Sequence, residues 1–516
     1  MRQAFALYAR GRPEEALERI RSVTAGRPPD PETLNLTAAC HQGLGRPEQA
    51  GACWRQALAL RPDFVSAWNN LGVLAKERND FRESLAAYRE ALRIQPDYVS
   101  AWYNLGVLLQ AMGELEEGAA AFREVMRLDP GHVAARNNLG NIARDRGRFP
   151  EAEAAFRQAL ALQPDCADAQ WNLSLLLLTL GAFQEGWRLH EARHHPNKTQ
   201  WRVPLPALPF PRWRGEELEG RSLLLVGEQG MGDQIQFCRF APLLKARGVR
   251  RLTLVCPPAL LPLFASLEGV DRVVDEDRLA TVAPQDYWAL LHSIPHLAGT
   301  GIPSRLPYLA PPAGRLQAWR ERLAPARGMR VGVVWKGDPS HGNDAHRSLP
   351  DLTVLAPLWR VPGVTMISLQ KGRGEEEARH PPPGQPVTHL GEALTDWGES
   401  AAAVMALDLL ISIDSAVAHL AGALGKRCWV MLPARGCDWR WMLEREDSPW
   451  YPEVMRLFRQ TRPGVWSDVV ERMVAELAGA GNGHDSAQTN GVFPVWRGSS
   501  GGGAGGGQGD AGHKPR

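Results

Sequence analysis

Cysteine is thin in this chain: seven in 516 residues, at positions 40, 53, 166, 238, 256, 428 and 437, with no C-x-x-C pair. That spread excludes a disulfide-stapled scaffold and a zinc ribbon, and suits isolated thiols of a reducing compartment. Excess charge is missing too. Fifty-nine Lys and Arg against 57 Asp and Glu leave a net +2, with no footprint for nucleic acid. Long apolar runs are absent, the longest being "LSLLLLTLG" (173–181), far too short to span a bilayer. The opening "MRQAFALYARGRPEEA" has no apolar signal core, so the cytoplasm is the expected address. What remains is ordinary globular material, 44% hydrophobic and 22% charged, long enough for about three domains.

What is present first is a repeat. Pro28, Pro62, Pro96, Pro130 and Pro164 recur every 34 residues. Gly72, Gly106 and Gly140 fill one slot, each after a leucine; Trp54, Tyr88, Phe122 and Phe156 fill another, followed by Ala57, Ala91, Val125 and Ala159. A glycine lets two helices approach, an aromatic fills the groove, and proline stops the second helix. Residues 1–193 resemble the tetratricopeptide family, a superhelix of helix pairs. Asn70, Asn104, Asn138 and Asn172 share a slot on the first helices, which line the concave face. An amide both donates and accepts, so such a ladder can clamp an extended peptide backbone, or simply bond to a neighbouring turn. In this slot the arm is similar to that of the protein O-GlcNAc transferases, which implies a protein or peptide partner.

Residues 194–221 are proline-rich and read as a linker packed through its tryptophans; His194 and His195 there read as a solvated pair. From 222 to 314, "SLLLV", "RLTLVC" and "RVVDE" alternate with helical segments. From 315 to 477, "RVGVVW", "VTMISLQ", "LDLLISI" and "RCWVML" do the same. Each half predicts a parallel sheet covered by helices, with a cleft at the carboxyl ends of both sets of strands. The glycine-rich segment 478–516 has no apolar period and predicts disorder.

Three chemistries compete for that cleft. A nicotinamide enzyme needs an acid after the second strand, where this chain has Cys256-Pro257, and a P-loop enzyme needs G-K-[S/T], which is absent. Sugar transfer from a nucleotide donor fits better. Strand 407–413 runs into "DSAVAHLAGALGK", where Asp414 or Ser415 caps a helix whose free N–H groups suit a diphosphate. Asp414 would then bond the ribose or serve as the cap, and His419 lies one turn inside. Lys336 and Lys371, each just past a strand, and Arg347 are candidate cations for the leaving diphosphate. Asp438, Trp439 and Arg440 lie in an aromatic loop that closes over the nucleotide or packs the domains together. The acidic triplet Asp275-Glu276-Asp277 reads as a solvated turn rather than a metal motif.

The segments "GEQGMGDQIQFCRFAPLL", "VVWKGDPSHGNDAHRSLP", "ISLQKG", "SIDSAVAHLAGALGK" and "DWRWMLEREDSPWYP" resemble bacterial tetratricopeptide glycosyltransferases related to the heptosyltransferases of family 9. The resemblance covers about 222–477. It implies a GT-B fold, with acceptor on the first half and nucleoside-diphosphate sugar on the second, and a metal-independent transfer without cofactor. It adds Gln370 to the donor side, and Gly230, Gly232 and Gln234 to the acceptor side, with the glycines admitting a close approach. Asp233 of the "MGD" turn matches the proposed general base of those enzymes, and it also suits the N-terminus of the following helix. Arg347 stands where they have lysine. Two other readings remain: a peptide-binding scaffold with an inactive enzyme half, and a nucleotide-sugar epimerase, which would not need the arm.

Overall fold

The computed structural model describes residues 1–26, 28–199 and 202–481, and the chain divides into two compact units, Met1–Ala207 and Leu208 onward. The expected disorder beyond residue 481 lies outside the described residues. Residues 478–481 belong instead to the helix Ser467–Gly481.

In the first unit, twelve α-helices from Arg2–Ala9 to Phe183–His190 follow one another among the described residues. The glycine slot is explained by contact. A Cβ on Gly72 would stand 2.5 Å from Tyr88 Cε1, on Gly106 2.7 Å from Phe122 Cε1, and on Gly140 2.6 Å from Phe156 Cε1. Each aromatic ring therefore lies flat on a backbone that only glycine leaves open. Four second helices, ending at Leu60, Ile94, Leu128 and Leu162, stop two residues before their proline, because the residue preceding a proline is pushed to extended geometry: Arg61, Gln95, Asp129 and Gln163 share φ/ψ near −135/92 (for Gln163, φ −138, ψ 92). The proline carbonyls are then used again. Trp68 and Trp102 Nε1 donate to Pro62 and Pro96 at 2.8 Å, Arg136 Nη2 to Pro130 at 2.8 Å, and Gln170 Nε2 to Pro164 at 2.7 Å.

The second unit holds two parallel sheets. The first contains β1 (Ser222–Val226), β2 (Arg251–Cys256), β3 (Arg272–Asp275) and β4 (Tyr287–Leu290), in the order β3-β2-β1-β4. The second contains β5 (Met329–Val334), β6 (Val364–Ser368), β7 (Thr388–His389), β8 (Leu409–Ile413), β9 (Cys428–Leu432) and β10 (Met455–Arg459), in the order β10-β9-β8-β5-β6-β7. β1 and β8 are buried at every residue, as expected of central parallel strands covered on both faces.

The stretch taken for a linker is more structured than its prolines suggest. Trp213 is buried, and residues 211–213 run beside β4, with Trp213 N–H donating to the Trp288 carbonyl at 2.8 Å and Trp288 N–H to Pro211 at 3.0 Å. His194 is not solvated either, since its Nδ1 lies 2.9 Å from the Val203 carbonyl and the ring is half-buried. Asp275 Oδ1 accepts the Asp277 N–H at 3.0 Å, so the acidic triplet is a turn.

Candidate functional site

β1 ends at Val226, and the turn that follows, through Gly227-Glu228, places Gln229 at φ +60, a left-handed conformation unusual for a residue with a side chain. The helix Met231–Phe237 then begins. Asp233 sits in its first turn and accepts the Gly230 N–H at Oδ2, 2.9 Å, so the expected capping role is present. At the other sheet, β8 ends at Ile413 and the helix Ala416–Ala423 starts two residues after Asp414. Neither Asp414 nor Ser415 caps it through a side chain; Ser415 Oγ instead pairs with Ser412 Oγ at 2.9 Å. The two helix starts meet. A Cβ on Gly232 would stand 3.0 Å from Ala416 Cα and 3.2 Å from His419 Cδ2. Gly232 thus lies at a close approach between the two α/β halves, where a side chain would be tight.

One guanidinium joins the charges around this contact. Arg440 Nη2 bonds Asp233 Oδ1, Nε donates to Gln236 Oε1 at 2.6 Å, and Nη1 lies 3.0 Å from both Asp438 oxygens. Trp439 carries it on its ring face, 4.3 Å from the centroid. His292, just past β4, turns Nε2 toward Asp233 Oδ1 (3.7 Å), while Glu228 Oε1 accepts its backbone N–H at 3.0 Å and lies 3.4 Å from its Nδ1. Its ring packs tilted against Phe237, with centroids 4.0 Å apart.

The electrostatics separate the carboxylates. Burial raises the Asp233 pKa, but Arg440 and His292 more than offset it and hold the carboxyl well below the usual range. Asp414 goes the other way: burial and the neighbouring Asp438 charge push it up to about 6, against Arg347. Burial and then Arg440 drive His419 down to about 3, so its imidazole is neutral; its Nδ1 lies 2.9 Å from Tyr451 Oη and its ring stacks on Trp441.

Several expected donor-side residues are occupied by other partners. Lys336 Nζ pairs with Glu377, and Lys371 Nζ bonds the Leu394 carbonyl. Gln370 is buried and clamps backbone, accepting from Trp335 and Lys336 N–H at 3.0 Å and donating to the Arg373 carbonyl at 2.7 Å. Arg347 lies 3.6 Å from the buried Asp344, which also takes Arg373 Nη1 at 2.6 Å. Gln234 is buried over Gly227 rather than facing an acceptor, and a Cβ on Gly227 would meet its Oε1 at 2.1 Å. Glu228, Gln236, His292, Trp441 and Tyr451 enter the site unforeseen. Among the described residues no group of three or more His, Cys, Asp or Glu is arranged to hold a metal.

In the first unit the asparagine slot forms a line of inter-repeat bonds. Asn70 Nδ2 donates to Asn35 Oδ1 (3.2 Å), Asn104 to Asn69 (3.0 Å), Asn138 to Tyr103 Oη (3.3 Å) and Asn172 to Asn137 (2.9 Å). Each amide therefore gives a donor to the preceding repeat, and all four remain half-buried.

Tetratricopeptide-repeat profiles match residues 2–22, 41–75, 75–113, 103–162 and 137–186. The first unit is a tetratricopeptide-repeat array. Arrays of this kind serve protein or peptide binding, and the match supports that role here. Protein FlbA of Caulobacter vibrioides is 30% identical over 332 residues, covering 58% of this chain and 53% of that protein. The chain thus spans about half the length of that curated relative, and the shared part exceeds what the first unit alone supplies. Solved structures with similarity include a MamA crystal structure (22% identity, 32% of this chain, 96% of that one, TM-score 0.29) and PilF of Pseudomonas aeruginosa (17%, 39%, 92%, 0.35). YrrB, titled a TPR protein with an unusual peptide-binding site, matches at 19% identity over 32% of this chain and 84% of its own, TM-score 0.28. No helix among the described residues is long and apolar enough to cross a membrane.

Proposed function

We propose that this protein is a metal-independent glycosyltransferase of GT-B architecture. It would move a sugar from a nucleoside-diphosphate sugar to a hydroxyl on a protein segment held by the repeat array. One observation carries the reading: Asp233, Asp414, Asp438 and His419 converge where strands of two parallel sheets end and two helix N-termini face each other. Asp233 is the base for the acceptor hydroxyl. Asp414 bonds the donor ribose, and Arg347, Arg440 and the start of the 416–423 helix take the developing diphosphate charge. Lys336 and Lys371, already bonded within the second half, move to supporting positions in this scheme.

A non-catalytic interaction scaffold is the second reading, and a specific observation favours it. Gly232 packs directly on Ala416, and Asp233 is already neutralised by Arg440. Titrating nucleotide sugars against the full chain, in chelator and with magnesium, separates the two. A bound donor at a hundred times its Kd raises stability by about 2.7 kcal/mol, and transfer of labelled sugar to a captured protein then follows. Strict magnesium dependence would count against the GT-B scheme, and the absence of both shift and transfer would favour the scaffold.

A further inference from the structure

A carboxylate already matched by a guanidinium is a weak base, because each cation at hydrogen-bond distance lowers its proton affinity. Asp233 is in that state. Arg440 reaches it from the second half of the unit while remaining bonded to Gln236 and, through the other arm of its fork, to Asp438. The same guanidinium borders the start of the 416–423 helix. Gly232, adjacent to Asp233, lies against Ala416, and Arg440 acts electrostatically on Asp414, two residues before Ala416. An anion drawn to that helix start therefore arrives beside a planar fork well suited to phosphate.

We infer that Arg440 is a displaceable counter-ion of Asp233: it holds the carboxylate in the resting site and passes to the donor diphosphate when the donor binds. The inference rests on the glycosyl-transfer reading. Once released, Asp233 accepts the proton of the acceptor hydroxyl as that oxygen bonds the anomeric carbon. The bond from that carbon to the diphosphate breaks, its electron pair leaves on the diphosphate, and Arg440 is there to meet the charge. Arg440 thereby couples donor binding to base strength, and an acceptor arriving before the donor meets a carboxylate that cannot take its proton.

The groups acting electrostatically on Asp233 are Arg440 from the 438–441 turn, His292 past β4 and His419 on the 416–423 helix; Asp233 itself acts on His341, in the segment that follows β5. Calorimetry of the full chain at pH 4.5, with uridine diphosphate and inorganic pyrophosphate as probes and two buffers of different ionisation enthalpy, reads the exchange directly. An aspartate carboxyl returning to its ordinary range takes up about 0.2 proton at that pH. Wild type shows this uptake on binding. Asp233→Asn binds with that component gone, leaving only the background from the phosphate and the histidines. Arg440→Gln binds roughly 10- to 100-fold more weakly, the worth of a charge-assisted contact. Arg440→Lys, which keeps charge without the fork, falls between and serves if the glutamine variant does not fold. Equal uptake in wild type and Asp233→Asn, or undiminished binding by Arg440→Gln or Arg440→Lys, overturns the inference and leaves the glycosyl-transfer reading standing. No binding of either probe removes both.

Discussion

Gly232 and Ala416 belong to helices that start from different sheets, and they pack so closely that a Cβ added to Gly232 would stand 3.0 Å from Ala416 Cα. Gly232→Ala must therefore push the two α/β halves apart or shift a helix start. The expected cost is about 1–3 kcal/mol, the usual penalty of overpacking, read as a lower denaturation midpoint. Gly113→Ala, at φ +83 with open space around it, tests backbone strain alone and gives the comparison.

Asp233→Asn removes the carboxylate while keeping its size. Turnover is expected to fall by roughly 10²–10⁴, the share of general-base catalysis. Some stability should go too, about 1–3 kcal/mol, because Arg440 loses one of its anionic partners. Turnover measured alongside melting temperature distinguishes the roles. A variant of normal activity would make Asp233 a cap and ion-pair partner only.

Asp414 predicts an unusual pH dependence. Its carboxyl is raised to about 6 by burial and Asp438, so the folded chain binds more protons than the unfolded chain between about pH 4 and 6. Its contribution therefore declines as pH rises through that window and levels off above it. Asp414→Asn should stabilise the protein at pH 7.5 by an amount on the order of 2 kcal/mol and change little at pH 4. Asp233 acts in the opposite sense: its stabilisation is full above about pH 4 and is lost as acid protonates it below the usual carboxylate range. Denaturant melts of the single variants across pH 3–8 read both slopes.

Asn104→Ala with Asn138→Ala should lose two inter-repeat bonds, at about 0.5–1.5 kcal/mol each. Peptide capture by the array should weaken further than that loss of stability explains, if the amides' carbonyl oxygens also receive a bound backbone. Sugar-donor binding by the second unit should be unchanged. Calorimetry with a captured peptide, compared at matched folded fraction, checks both.

The repeat array was legible because 34-residue spacing survives any local ambiguity, and Gly72, Gly106 and Gly140 met the rings their spacing implied. The strands that read as apolar runs between helical segments were legible too, whereas β4, β7 and β10 were not. "YWAL" has four residues, "MRLFR" is broken by two arginines, and β7 has only two residues. Missing β4 hid His292, since nothing marked it as lying past a strand end. Asp414, His419, Asp438 and Arg440 were marked by type and position and Asp233 by the resemblance of its "MGD" turn, and the fold brings them together. Their pairing was beyond the sequence: Arg440 and Asp233 are 207 residues apart, and only the fold decides that a residue assigned to the nucleotide neutralises the assigned base. The partners of Lys336 and Lys371 were hidden for a related reason, since position past a strand says nothing about Glu377 or the Leu394 carbonyl nearby.

The bonds from Asn70 to Asn35, Asn104 to Asn69 and Asn172 to Asn137 all span 35 residues, one repeat plus one position. That offset makes the array modular in a strict sense. Excising residues 99–132 would bring Asn138 onto Asn69, replacing the tyrosine hydroxyl it now uses with an amide and keeping every other link in phase. An excision that is not a whole number of 34-residue repeats would leave the links facing the wrong rung. The arm can therefore shorten or lengthen by whole units with its seams intact, while the register within each unit is locked.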